Sequence, residues 1–333
     1  MDKPILDIKN LVVEYRTDDG VVQALNGLDL TIMPGETHGL VGETGAGKTT
    51  AGLGVLRLIA SPPGVVVDGT IILDGKDVQQ TTEKDMESMR GYDVSMIFQD
   101  PMTSLNPVMT VQDQIAEVYE LHENISHDKA IELTHAMLEL VGIPAERGNE
   151  FPHQFSGGMK QRVVIAIALA GNPKLLIADE PTTALDVTIQ AQVLDMMKQL
   201  KKEYNMAMLM ITHDLGIVAD ICDRVSVIYA GRIVEQGSLE DIFDRTRHPY
   251  TEGLFNSLPN LTDRQQKLKP IKGLMPDPSN LPSGCTFHPR CNYVMDICSK
   301  ENPPRVYRGE SHYAECHLYN EENIMKGGVI ERD

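Results

Sequence analysis

Residues 42–50 read G-E-T-G-A-G-K-T-T, three glycines around one lysine and followed by two hydroxyls. A run of this kind between a strand and a helix cradles phosphate groups. Gly42, Gly45 and Gly47 let backbone N–H groups turn inward without Cβ clashes. Lys48 places a positive charge against the β- and γ-phosphates, and the Thr49 hydroxyl can bind Mg²⁺. A helix starting near Lys48 adds its positive N-terminal end. The nucleotide-contacting set is the whole stretch, with Glu43, Thr44, Ala46 and Thr50 included.

A partner element lies about 130 residues further on, where the apolar run "KLLIADE" ends in Asp179 and Glu180. Asp179 suits the carboxylate that supports Mg²⁺ in a phosphate-loop ATPase. Glu180 suits the general base that polarises the attacking water. Alone, two acids after a strand read equally well as a solvated turn; the phosphate loop turns the reading toward chemistry. Between the two elements sits "FSGGMKQR", in which Ser156, Gly157 and Gly158 precede a helix and form a second anion-binding helix start. One triphosphate has no use for two such sites on one molecule. Two molecules packed head to tail do, each lending its Ser-Gly-Gly to the γ-phosphate held by the other.

Chemistry of another kind is suggested near the C-terminus. Cys285, Cys291, Cys298 and Cys316 stand with five, six and seventeen residues between neighbours, in a Pro-rich segment with little periodicity. Such a segment buries little apolar surface, so a metal held by four thiolates would stabilise it. The spacing fits poorly with the close pairs of a zinc site and better with a [4Fe–4S] cluster. Zn²⁺ and unconnected thiols stay open as alternatives, while a reducing compartment speaks against disulfides. Cys222, in "ADICDRV", reads as a small buried residue at a strand start.

The elements that must position these groups follow from apolar patterning. Short runs such as "GLDLTIM", "THGLVG", "KLLIADEP" and "MAMLMITHD" alternate with helical periodicity, which predicts an α/β chain. Residues from about Met109 to Ala170 lean helical, as in "KAIELTHAMLELVG"; "DRVSVIYAG" and "RIVEQG" predict a hairpin, and "LEDIFD" is helical. From Pro259 onward the pattern weakens. The expected division is an ATPase domain over 1–250, with a helical subdomain at about 105–171, and a small irregular, cysteine-rich domain over 251–333. Hydrophobic content of 41% and charged content of 23% suit a globular protein. A net charge of −18 argues against a nucleic-acid partner. The longest apolar run, "VVIAIALAG", is about half of a membrane span. "MDKPILDIKN" lacks a signal-peptide core, which predicts the cytosol.

Taken in order, these motifs resemble the ATP-binding subunit of an ABC transporter, over roughly residues 5–250. "FSGGMKQR" is similar to that family's signature, with Met159 where a glutamine is usual. The resemblance implies a P-loop NTPase fold, stacking of Tyr15 on adenine, and a switch glutamine, Gln99, that reaches Mg²⁺ and the attacking water. It also implies that "TALD", from Thr183 to Asp186, crosses a dimer interface and that His213 contacts the γ-phosphate. Catalysis would then rest on Glu180, His213, Gln99 and Lys48, and Mg²⁺ on Thr49, Gln99 and Asp179. "IFQDPMTSLNP", "TTALDVTIQAQV", "RHPYTEGL" and the cysteine-bearing tail resemble the ATPase subunits of oligopeptide and dipeptide importers. That likeness implies a peripheral protein on the cytoplasmic face of the membrane. Its implied partners are a second related ATPase subunit, two membrane permease subunits and, indirectly, an extracellular substrate-binding protein. It also implies a [4Fe–4S] cluster on the four late cysteines. Nickel or another metal chelate is the alternative cargo. A soluble ABC ATPase acting on DNA or ribosomes is the alternative class; its tandem halves, coiled coils or zinc inserts are not seen here. An ATP-binding module without turnover is disfavoured by the presence of both Glu180 and His213.

Overall fold

Strands form where apolar runs can be covered on both faces, and this computed structural model describes residues 3–183, 185–257 and 270–320. In chain order the strands are β1 (Leu6–Thr17), β2 (Gly20–Ile32), β3 (Thr37–Val41), β4 (Gly64–Leu73), β5 (Lys76–Asp77), β6 (Val94–Ile97), β7 (Leu175–Asp179), β8 (Ala207–Thr212), β9 (Arg224–Tyr229), β10 (Arg232–Ser238), β11 (Arg305–Arg308) and β12 (His312–Glu315). They make two sheets. One is antiparallel, ordered β2-β1-β4-β5. The other is ordered β11-β12-β10-β9-β3-β8-β7-β6. Its strands β9, β3, β8, β7 and β6 run parallel, with β6 at the edge. The residues of β3, β7 and β8 are all buried, which is why β7 and β8 read as apolar runs up to their last residue rather than as alternating ones; β3 buries Thr37 and His38 as well.

The helices Val111–His122, His127–Leu140 and Gly157–Ala170 lie between β6 and β7 in the chain. Each begins at a hydroxyl residue, Thr110, Ser126 and Ser156, whose side chain accepts from a backbone N–H of the first turn. Their apolar residues, among them Ile115, Leu138 and Val164, join the core beneath the large sheet. Cys222 is buried, as expected, but it caps the helix Leu215–Ile221 instead of opening a strand.

The cysteine-bearing tail differs from its expectation as an irregular unit. β12 pairs with β10 through Glu235–Ala314 and Gln236–Tyr313, and β11 extends the edge. Two four-residue strands carry too little periodicity to be seen in sequence. Apart from the end of the helix Pro249–Asn256, the remainder of the described tail is turns and short 3₁₀ segments. The join contains one fully buried acid. Glu235 accepts from the backbone N–H groups of Arg247 (2.7 Å) and His248 (2.9 Å), and its Oε1 lies 2.9 Å from His312 Nε2. Glu235→Leu would orphan these buried groups and should cost roughly 3–5 kcal/mol, since each unsatisfied group costs about 1–3 kcal/mol. Chemical denaturation should show the loss, with Glu235→Gln clearly milder.

Candidate functional site

The strand ends bring together what the chain keeps apart. Four parallel strands lie in the spatial order β6, β7, β8, β3. Gln99 follows β6, Asp179 and Glu180 close β7, His213 follows β8 and the glycine-rich loop follows β3. All four groups therefore stand at the carboxyl edge of one sheet, where open α/β sheets bind ligands.

The loop is shaped by close approach. Gly45 and Gly47 have φ of 85° and 103°, which side chains rarely adopt, and Gly47 caps the helix Lys48–Val55. A Cβ on Gly42 would lie 2.3 Å from the Ile228 carbonyl oxygen of β9. Lys48 spans the loop's mouth, its Nζ donating to the carbonyls of Gly42 (2.7 Å) and Glu43 (3.1 Å). Burial pulls its pKa down, against the nearby charges of Glu180, Asp179 and Glu43. Thr49 donates to Asp179 Oδ2 at 2.7 Å. Burial raises the Asp179 carboxyl, and the Glu180 charge adds to this; the Thr49 hydrogen bond and Lys48 oppose it. A hydroxyl and a carboxylate already joined in this way are oxygen donors of the kind Mg²⁺ takes.

Glu180 is held from three directions. His213 Nδ1 meets its Oε1 at 2.8 Å, and Thr183 donates to Oε2 at 2.9 Å. Gln99 Nε2 reaches the same oxygen at 3.4 Å. Burial pushes the carboxyl up, but the hydrogen bonds from His213 and Thr183 and the charges of His213 and Lys48 outweigh it and leave the pKa below its usual value. The acid is therefore ionised near neutrality. Its φ of 47° is left-handed, a strained conformation for a residue with a side chain.

Tyr15 sits half-buried in β1, its hydroxyl 3.4 Å from that of Thr50. Ser156 and Gly157 are exposed on the helical insert, where Ser156 receives the N–H of Met159 (3.4 Å). Of "TALD", Thr183 bonds Glu180 and Asp186 caps the following helix; Ala184 lies outside the described residues. An opening of about 600 Å³ is lined by Gly42, Glu43, Thr44 and His213 on one side and by Leu274 and Arg290 on the other. The Tyr250 hydroxyl accepts from the Glu43 N–H (3.0 Å) and Arg290 donates to the Glu43 carboxylate; neither is among the residues that the sequence singles out. Both occur in phrases legible in the sequence, "RHPYTEGL" and "TFHPRC", but no local pattern places them beside the loop.

The four late cysteines are free thiols that line one cavity together with His288 and His317. About 10 Å³ is open at its centre, room for a single water. The expected ready-made metal site is not what the structure holds: among the described residues, no group of three or more His, Cys, Asp or Glu is placed to hold a metal ion. Burial is the first cause of raised thiol pKa values, with Cys291 pushed up to about 11 and Cys316 to about 12, and the neighbouring thiols add to both.

A phosphate loop, an acidic pair on the strand beyond its neighbour, and a helical insert between them define a P-loop NTPase of the ABC type. The ABC transporter family matches residues 25–183, and the family described as the oligopeptide/dipeptide transporter C-terminal region matches residues 234–298. The chain is 50% identical over 317 residues to the oligopeptide transport ATP-binding protein OppD of Bacillus subtilis, covering 94% of this chain and 88% of that protein. It is 45% identical over 319 residues to the dipeptide transport ATP-binding protein DppD of the same organism, covering 95% of each. Among solved structures, a dimeric ATP-binding cassette bound to ADP and Pi superposes with a TM-score of 0.64 at 24% identity, over 70% of this chain and 98% of that one. A Clostridium perfringens protein that is part of the cbiONQ ABC transporter complex gives 0.61 at 29% identity, over 73% and 92%. The chain belongs to the ABC transporter ATP-binding proteins of the oligopeptide and dipeptide type.

Because Gly42 is pressed against the backbone of β9, Gly42→Ala must displace the loop. Overpacking of this kind costs about 1–3 kcal/mol, so ATP affinity should fall by roughly 5- to 150-fold. Titration of the purified variant with Mg-ATP would measure it.

Proposed function

We propose that this chain is the ATP-hydrolysing subunit of a di- or oligopeptide importer. One observation carries the reading: Glu180, aimed by His213, Thr183 and Gln99, stands beside a phosphate loop whose Thr49 is already joined to Asp179. In this reading Glu180 polarises the attacking water, and Lys48 and His213 stabilise charge on the transferred phosphoryl group. Thr49, Asp179 and Gln99 would hold Mg²⁺, which when bound neutralises charge on the phosphate oxygens. Tyr15 would stack on adenine, and residues 42–50 would enclose the phosphates.

The exposure of Ser156 and Gly157 supports their use in trans, on nucleotide held by a second, related ATPase subunit. Closure of that head-to-tail pair on ATP, and its reopening after hydrolysis, would be the motion delivered to the membrane. Among the described residues no helix is long and apolar enough to cross a membrane. The motion would therefore act on two separate permease subunits from the cytoplasmic face. Phe98, Val108 and Leu121, apolar and exposed beside Gln99 and on the insert, suit that contact. Peptide as cargo, supplied by an extracellular binding protein, rests on the likeness to OppD and DppD. In this reading residues 1–250 would form the ATPase unit and 251–333 its extension.

Glu180→Gln should bind ATP within about threefold of the parent, lose at least roughly 99% of turnover and accumulate as an ATP-bound dimer, since the general base is removed but no phosphate contact is. Phosphate release and size-exclusion chromatography of the chain assembled with its permeases read both effects. Turnover at the parent rate would overturn the assignment.

We also propose that Cys285, Cys291, Cys298 and Cys316 bind a [4Fe–4S] cluster. Support comes from their convergence on one cavity. Four soft donors that repel one another as thiolates suit iron. The cluster would serve as a cross-link in the tail. Anaerobically prepared protein should contain about four irons per chain; one zinc per chain would replace the cluster with a tetrahedral site, and no metal would remove both.

A further inference from the structure

One ion pair outside these assignments crosses 247 residues of sequence. Arg290 holds the Glu43 carboxylate with both arms of its guanidinium, Nη1 to Oε2 at 2.7 Å and Nη2 to Oε1 at 3.1 Å. Its remaining donors are also used. Nε reaches the Lys272 carbonyl (3.0 Å), Nη2 the Gly273 carbonyl (3.2 Å) and Nη1 the Tyr229 hydroxyl (3.4 Å). The arginine side chain is only 6% exposed and the glutamate 31%. A guanidinium so fully satisfied is a built contact, and a planar fork of this kind is not replaceable by lysine without loss.

Its location gives the pair a use. Glu43 is the second residue of the phosphate loop, its charge is close enough to act on Lys48, and it shares the site opening with Thr44 and His213. A bare carboxylate there would repel a triphosphate and compete for Lys48. We propose that Arg290 is a positioning residue for nucleotide binding: it neutralises Glu43 and turns its carboxylate toward the tail, leaving Lys48 and the loop N–H groups free for phosphate. Tyr250, whose hydroxyl accepts the Glu43 N–H, holds the same residue from the other side. The tail is thereby part of the ATP site within one subunit. The inference rests on the ATPase reading above, since it presumes that the loop binds ATP.

The test is a double-mutant cycle read by calorimetry, on the purified full chain with Mg²⁺ and a non-hydrolysable ATP analogue. Arg290→Met should weaken binding by roughly tenfold, the size of losing one charge-assisted pair. Placed in a Glu43→Gln background, the same change should cost less than about threefold, because no carboxylate is left to neutralise. The loss should shrink with AMP, whose phosphate charge is smaller, whereas a loosened fold would weaken both nucleotides alike. Should Arg290→Met fail to fold, Arg290→Lys carries the same comparison, with about a threefold loss that Glu43→Gln removes. Unchanged affinity, or an equal loss with and without Glu43, would overturn the proposal. Absence of ATP binding by the parent chain would overturn the ATPase reading itself.

Discussion

The site depends on keeping one carboxylate charged and aimed at the end of a buried strand. Glu180 has left water almost entirely, which by itself would favour the neutral acid. Partners from different stretches of chain reverse that preference: His213 after β8, Thr183 in the next turn and the charge of Lys48 in the phosphate loop. The Glu180 N–H is meanwhile tied to the Ile211 carbonyl at 2.8 Å. Left-handed backbone at a residue with a side chain costs on the order of 1–3 kcal/mol and persists only where the surroundings over-determine it. Here the parallel packing of β6, β7 and β8 supplies that constraint.

The same logic explains how the tail is attached. Charged groups are expensive to bury and are retained where each is paired and hydrogen-bonded. Glu235 and Arg290 meet that condition at two separate points of the join, one against β12 and one against the phosphate loop. Between them an aromatic group of Tyr229, Tyr250 and Phe287 packs with ring centroids 4.6 to 5.4 Å apart. Phe287, which also lines the thiol cavity, packs on Tyr250, whose hydroxyl accepts the Glu43 N–H.

Much of this was legible because chemistry and backbone geometry coincide locally. A phosphate loop must be glycine-rich, and its helix start and preceding strand are neighbours in sequence. The acidic pair closes an apolar strand, and the helical insert repeats at helical spacing with a hydroxyl cap at each start. The departures lie where contacts are distant or elements short. β11 and β12 are four residues each, and their place is decided by the free edge of β10. The four late thiols line one nearly closed, mostly apolar space, and among the described residues no formed ligand shell surrounds it.

Residue types alone determined which groups could serve ATP chemistry, because phosphate, Mg²⁺ and water activation each demand particular donors. They also determined that apolar strands alternate with helices, since strand and helix periods are written into the chain. What only the tertiary structure decided is spatial order and partnership. The parallel sheet rearranges loop, Gln99, Glu180 and His213 from chain order into the row Gln99, Glu180, His213, loop. It strains Glu180, and it carries Arg290 to Glu43 across 247 positions. Such contacts are set by sheet order and by the fit of buried charges, and neither has a period that a linear sequence can display.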